Sequence, residues 1–187
     1  VGSEMCIRDS NIDVQGLYWS RKTRQQQILN NHYQGNGLEV PVIILAIEAA
    51  IDSYYILTEL RKVFANGGYN AYTIGMEPEC VLYGLEYMPE PMADYGVWKN
   101  FIESQVFYKQ SDLVIWCIPL EDREKFLKVY PDCDVEISLC KEGENTVVEI
   151  TFEKEKTEKI ISGLIARKDV DEIYHMIEAK LTEDEDG

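Results

Sequence analysis

Three short stretches hold the residue types that could do chemistry: Glu48, Asp52 and Ser53; Gly75, Glu77 and Cys80; and Pro119. Each follows an apolar run that reads as a strand. They therefore fall where open α/β sheets bind ligands, outside the carboxyl ends of the strands. The first stretch takes the place of a phosphate-binding loop, where backbone amides and a helix N-terminus attract an anion. Its sequence, Ala46-Ile47-Glu48-Ala49-Ala50-Ile51-Asp52-Ser53, has no glycine for close backbone approach and no lysine for the phosphates, so it is not a Walker A motif. Glu48 and Asp52 even place negative charge where a phosphate would sit. Asp52 or Ser53 suits a helix cap, and an acid near a helix N-terminus is favoured by the macrodipole, which ranks capping above ligand binding. If functional, Glu48 would bind a cationic group or supply one metal ligand, and no second ligand can be placed beside it.

No catalytic set emerges from the remaining reactive residues. The five cysteines, at 6, 80, 117, 133 and 140, form no CxxC pair and no Cys/His cluster at zinc spacing, so no metal site is expected. Cys117 lies within Leu113-Val114-Ile115-Trp116-Cys117-Ile118, where a thiol acts as a small hydrophobe. Cys80, in what reads as an exposed loop, is the one candidate for a reactive thiol. His32 and His175 have no recognisable partners, and His175 is placed at the edge of the core on the last helix.

The elements that must hold these residues follow from apolar periodicity. Val40 to Ala46 is a continuous β-branched run, as in a strand buried on both faces of a parallel sheet. Ile56, Leu57, Leu60, Val63 and Phe64 repeat at helical spacing, and Asn66-Gly67-Gly68 stops the helix. Tyr69 to Gly75 is the next strand, completing a βαβ unit. Glu77 to Met92 reads as loop with one short turn near Cys80, followed by a helix marked by Trp98, Phe101, Ile102 and Val106. Leu113 to Ile118 is a third buried strand, and Glu121 to Lys128 a short helix. Val135 to Leu139 and Val147 to Phe152 read as an antiparallel hairpin about Lys141 to Asn145, forming the sheet edge. Thr157 to Arg167 fits either a helix or a third hairpin strand, with a slight preference for strand. Asp169 and Glu172 resemble a capping box, and Val170, Ile173, Tyr174, Ile177 and Leu181 mark a final amphipathic helix. The expected class is α/β: a Rossmann-like three-layer domain with a mainly parallel sheet, a C-terminal antiparallel hairpin and a final helix.

The formal charge of −16 disfavours nucleic acid and anionic membrane surfaces and would steer in a basic partner. No apolar stretch approaches the roughly 20 residues needed to span a bilayer, which makes the cytoplasm the default location. Residues 1 to 10 have no structural logic and match a translated transposase-library sequencing adapter, so they are set aside from fold reasoning. Residues 11 to 37 then read as the polar remnant or linker of a missing N-terminal region. Residues 38 to 182 form the domain and 183 to 187 an acidic tail. Arg21-Lys22-Thr23-Arg24 reads as a solvated helix face rather than a binding patch.

The ordered set Pro41-Val42-Ile43, Gly68-Tyr69, Ile74-Gly75, Cys80, Tyr83-Gly84, Pro89 with Met92, and Ile118-Pro119 resembles the accessory peptide maturation system proteins. These accompany radical SAM maturases in cassettes that modify ribosomally made peptides. The resemblance covers roughly 40 to 119. Together with the missing catalytic set and the negative charge, it points to a non-catalytic or weakly catalytic accessory role in which the chain binds a precursor peptide or the maturase, or to a degenerate paralogue that kept the fold and lost the ligand. The family's loop carries a Gly and a Lys where this chain has Ala46 and Ser53, and its Ile-Pro-Gly is met by Ile118-Pro119-Leu120. Any nucleotide cofactor implied by the family is therefore most in doubt here. The alternative expectation is an enzyme or nucleotide-binding domain with an atypical phosphate loop centred on Glu48, Asp52 and Ser53.

Overall fold

The computed structural model describes residues 40–88, 95–131 and 133–182. Residues 1 to 10, the linker 11 to 37 with His32, the motif residues Pro89 and Met92, and the tail 183 to 187 lie outside them. Within them runs one mixed sheet of seven strands, ordered β3-β2-β4-β1-β5-β6-β7. In chain order the elements are β1 (Val42–Ile47), α1 (Ser53–Asn66), β2 (Ala71–Gly75), a 3₁₀ turn (Pro78–Tyr83) and β3 (Glu86–Tyr87). After them come α2 (Tyr95–Lys109), β4 (Leu113–Pro119), a 3₁₀ turn (Leu120–Asp122) and α3 (Arg123–Val129). The chain then forms β5 (Val135–Glu142), β6 (Asn145–Phe152), β7 (Glu155–Ser162) and α4 (Arg167–Leu181). Strands β3, β2, β4, β1 and β5 are mutually parallel, while β6 and β7 run antiparallel.

The two cores show why this sequence makes layers. Ile43, Leu45 and Ile47 face one core with α1 and α4, and Val42, Ile44 and Ala46 face the other with α2 and α3. A strand whose alternate positions are all apolar has to be covered on both sides, so β1 sits mid-sheet between β4 and β5. On the α1/α4 side, Phe64 and Tyr174 meet edge to face at 4.8 Å, and Glu178 accepts hydrogen bonds from Tyr69 Oη (3.0 Å) and Tyr174 Oη (2.7 Å). On the other side Trp116 is fully buried among Tyr95, Phe126 and Tyr130.

Two aspartates set the strand register at the amino edge of the sheet. Asp134, just before β5, accepts from Val42 N at 2.8 Å, and its own N–H donates to Val42 O at 3.1 Å. Asp112, just before β4, repeats the arrangement with Asn70 at 2.6 and 2.7 Å. Each clamp satisfies backbone groups that a parallel ladder leaves open at its start.

Several expectations change. The stretch read as loop after Glu77 contains β3, a two-residue strand paired to Ile74 and Gly75. It escapes a periodicity reading because two residues have no period. Thr157 to Arg167 divides: β7 ends at Ser162 and α4 starts at Arg167. The edge is therefore β7 and not the β5–β6 hairpin, whose turn tightens to Gly143 and Glu144, with Gly143 at φ 64. Asp169 is not the cap of α4 but its third residue, reaching back to Ala166 N at 2.8 Å. His175 is exposed on α4 rather than placed at the core's edge. Replacing Asp134 by Ala should cost about 1–3 kcal/mol, because the Val42 donor loses its partner. Chemical denaturation of the wild type and D134A will measure it.

Candidate functional site

β1, β2 and β4 are parallel neighbours in the order β2-β4-β1, so the three predicted loops do open on one edge of the sheet. What the structure changes is the work their side chains do there. Glu48 prolongs the β1–β5 ladder past the strand: its N–H donates to Leu139 O at 3.0 Å, and its Oε2 accepts from Lys141 N at 2.9 Å. Asp52 is the N-cap of α1, accepting from Tyr55 N at 3.1 Å. Ser53 is the first residue of the helix and is buried, so of the two capping candidates Asp52 takes the role. Ile51 N donates to Glu48 O at 3.0 Å. The amides at 48, 51 and 55 are thus already paired within the protein, whereas a phosphate cradle would present them to its ligand.

The second loop is a packing device. A Cβ built on Gly75 would lie 2.4 Å from Cys80 Sγ and 2.7 Å from Leu57 Cδ2, so the glycine exists to admit the sulfur. Cys80 is fully buried on the 3₁₀ turn, not exposed as its loop-like surroundings suggested. Burial pushes its thiol up, and the carboxylates of Glu77 and Glu79 add to the effect. Cys117 is raised for the same principal reason, burial, and Cys140 by burial and then by Glu48, Glu142 and Glu149. Thiolate, and with it nucleophilic character, is suppressed at all three. Glu77 is exposed, and its C=O accepts from Cys80 N at 3.0 Å. Pro119 ends β4 opposite Ile47 and turns the chain into the 3₁₀ turn before α3. Gly84, the last residue of the Tyr83-Gly84 pair, holds φ 74 as the cap of the 3₁₀ turn.

A cleft of about 360 Å³ opens at this same edge, where sequence reasoning placed only Asp52. Its lining includes Ile51, Asp52, Tyr55, Lys141, Leu164 and Ile165. Leu164 is 90% exposed, in the turn between β7 and α4 that begins at Gly163 with φ 74. The only signal in the sequence was an apolar pair following a glycine. What brings that turn to the β1 loop is the β5–β6–β7 meander, whose register no local pattern specifies. A second cleft of about 340 Å³ lies on the α1 side beside β2, where Arg61 donates from Nη1 to Tyr83 O at 2.8 Å. The predicted residues therefore divide: Asp52 lines the 360 Å³ cleft, Glu48 braces Lys141 beneath it, and Gly75, Glu77, Cys80 and Pro119 line neither cleft.

Among the described residues, no three His, Cys, Asp or Glu side chains gather as metal ligands would, and no helix is long and apolar enough to cross a membrane. No known protein family, curated protein or solved structure matches the chain.

Two outcomes follow from this assignment of the polar groups. Asp52→Ala should cost about 1 kcal/mol through the lost cap, and Glu48→Ala about 1–2 kcal/mol through the freed Lys141 amide, both measured by urea unfolding. Iodoacetamide labelling mapped by mass spectrometry should leave Cys80 and Cys117 unmodified in the native protein and modify them once it unfolds. Rapid native labelling of Cys80 would contradict its placement.

Proposed function

We propose that this chain is an accessory protein of ribosomal peptide maturation that binds a precursor peptide or its radical SAM maturase and transforms neither. The observation that carries this reading is how side chains are used at the carboxyl edge. Glu48, Asp52 and Cys80 are committed to the ladder, the helix cap and the core. Leu164 is left projecting beside a cleft whose charged lining is Asp52 and Lys141. An apolar contact flanked by one charge of each sign suits capture of a peptide side chain, because burial supplies affinity and the charges set orientation. The net charge of −16 favours a basic segment on the partner through steering.

The ordered motif resemblance over 40 to 119 supplies the biological setting, a bacterial cytoplasmic cassette. The motif residues that fall among the described ones serve packing and turns in this chain, as Gly75 with Cys80 and Gly84 do. That is what a retained scaffold with a changed ligand would keep. Helices on both faces of a parallel-centred sheet also support a Rossmann-like relationship for the fold. The competing nucleotide-binding reading keeps its position in the fold in its favour, but the amides at 48, 51 and 55 are paired internally and Glu48 and Asp52 bring negative charge to the loop.

Calorimetric titration of the protein against the precursor peptide and the maturase encoded beside it should show binding to at least one. Leu164→Asp should weaken that binding by about tenfold, the scale of one buried leucine contact. Binding to neither partner would sink the proposal. A thermal shift with ATP or GTP and magnesium that Glu48→Ala abolishes would instead establish the nucleotide reading.

A further inference from the structure

β7 ends the sheet, and among the described residues no strand pairs with its outer edge. It is eight residues long, and within it every residue but Lys159 and Ile161 is exposed. Its backbone polarity follows from the hairpin. The two-residue turn Glu153-Lys154, with φ 50 and 71, closes on the pair Phe152 and Glu155. The closing pair of such a turn is hydrogen-bonded, so 155, 157, 159 and 161 turn their N–H and C=O groups towards β6. Residues 156, 158, 160 and 162 turn theirs outward. A free edge of this length is a template for another strand, and proteins commonly guard it with lysine. Lys156 and Lys159 would suffice as guards.

The order of signs along β7 does more than guarding requires. Glu155-Lys156-Thr157-Glu158-Lys159 reads acid, base, neutral, acid, base. When a second copy is laid antiparallel with Thr157 facing its own mate, Lys156 stands opposite Glu158 and Glu155 opposite Lys159, each twice by symmetry. Members of each pair differ by an even number of positions, so their side chains share a face of the sheet. The outward backbone groups of 156 and 158 meet in the same alignment and can exchange both hydrogen bonds. Sliding the pairing by two residues, the smallest slip that keeps outward backbone groups facing each other, sets Glu158 against Glu158 or Lys156 against Lys156, which is unfavourable. The intramolecular pairs extend the pattern, since Lys159 is bonded to Glu172 of α4 and Lys180 of α4 lies 3.7 Å from Glu155. In a chain of charge −16, the four charged residues of this segment sum to zero, so the segment itself adds no net repulsion where the edges would meet.

We propose that two copies of this chain join edge to edge through β7, antiparallel and centred on Thr157, continuing the sheet across a two-fold axis. Sedimentation velocity over a concentration series tests this with paired charge reversals. The wild type should dimerise. Lys156→Glu with Lys159→Glu makes the segment wholly acidic, and Glu155→Lys with Glu158→Lys makes it wholly basic. Each double variant alone should dissociate, with a dissociation constant raised by at least about tenfold, and an equimolar mixture of the two should restore the dimer. Glu158→Pro removes one outward N–H and leaves the ladder to β6 intact, so it should give a folded monomer, with circular dichroism reporting the fold. A wild type that is monomeric throughout, reversals that stay dimeric, or a mixture that fails to reassociate would each overturn the proposal.

Discussion

β1 has no face that meets water. Val42 through Ile47 are all at most 3% exposed, and they alternate between the core beneath α1 and α4 and the core beneath α2 and α3. Each large aliphatic side chain buried this way contributes roughly 1.5–3 kcal/mol. The larger consequence is topological. A strand apolar on both faces needs a strand on each side and a helical layer above and below, and β4, β5, α1 and α3 are placed to supply them. Asp134 then fixes where β1 begins relative to β5, and Glu48 fixes where it ends.

Sequence periodicity reveals an element when its burial pattern is long and one-sided or wholly apolar. The runs at 40–46 and 113–118, the α1 stripe and the α4 stripe could all be read for that reason. β3 could not, having two residues, and the boundary between β7 and α4 was blurred because Ile160-Ile161 and Leu164-Ile165 fit both periods. The candidate site was less legible than the fold. Glu48 and Asp52 were correctly placed at the strand's carboxyl end, but residue type cannot tell a ligand contact from a carboxylate that accepts a backbone amide. Cys80 was misjudged because the pocket for its sulfur is created by Gly75, a contact visible only in three dimensions. Lys141 and Leu164 reach the cleft through pairing across the antiparallel meander, and register of that kind is a tertiary property.

The sheet is consequently two unlike halves on one frame. Its parallel part lies between two helical layers and is rich in large aromatic and aliphatic groups. Its antiparallel part packs one face on α1 and α4 through Val148, Ile150 and Ile161, while Glu149, Glu158 and Ile160 stay accessible on the other. Stability resides mainly in the first half. Exposed apolar side chains occur on both, with Leu82, Phe107 and Tyr108 in the first half and Ile160 and Leu164 in the second.

The pairing of β1 also bears on how the chain is made. Ile43 lies beside Ile115 and Val135, so its second neighbour is about ninety residues downstream. At ordinary ribosomal speeds that separation amounts to roughly 5–18 s of synthesis. For most of that interval this wholly apolar strand has neither neighbour, and β4 reaches it before β5 does. Folding must therefore wait on non-local contacts, the slow route for any chain, while the β5–β6–β7 meander can close from adjacent residues as soon as it appears. Until β4 and β5 arrive, β1 is therefore an apolar strand with both edges open, the state in which a nascent chain is most prone to aggregate.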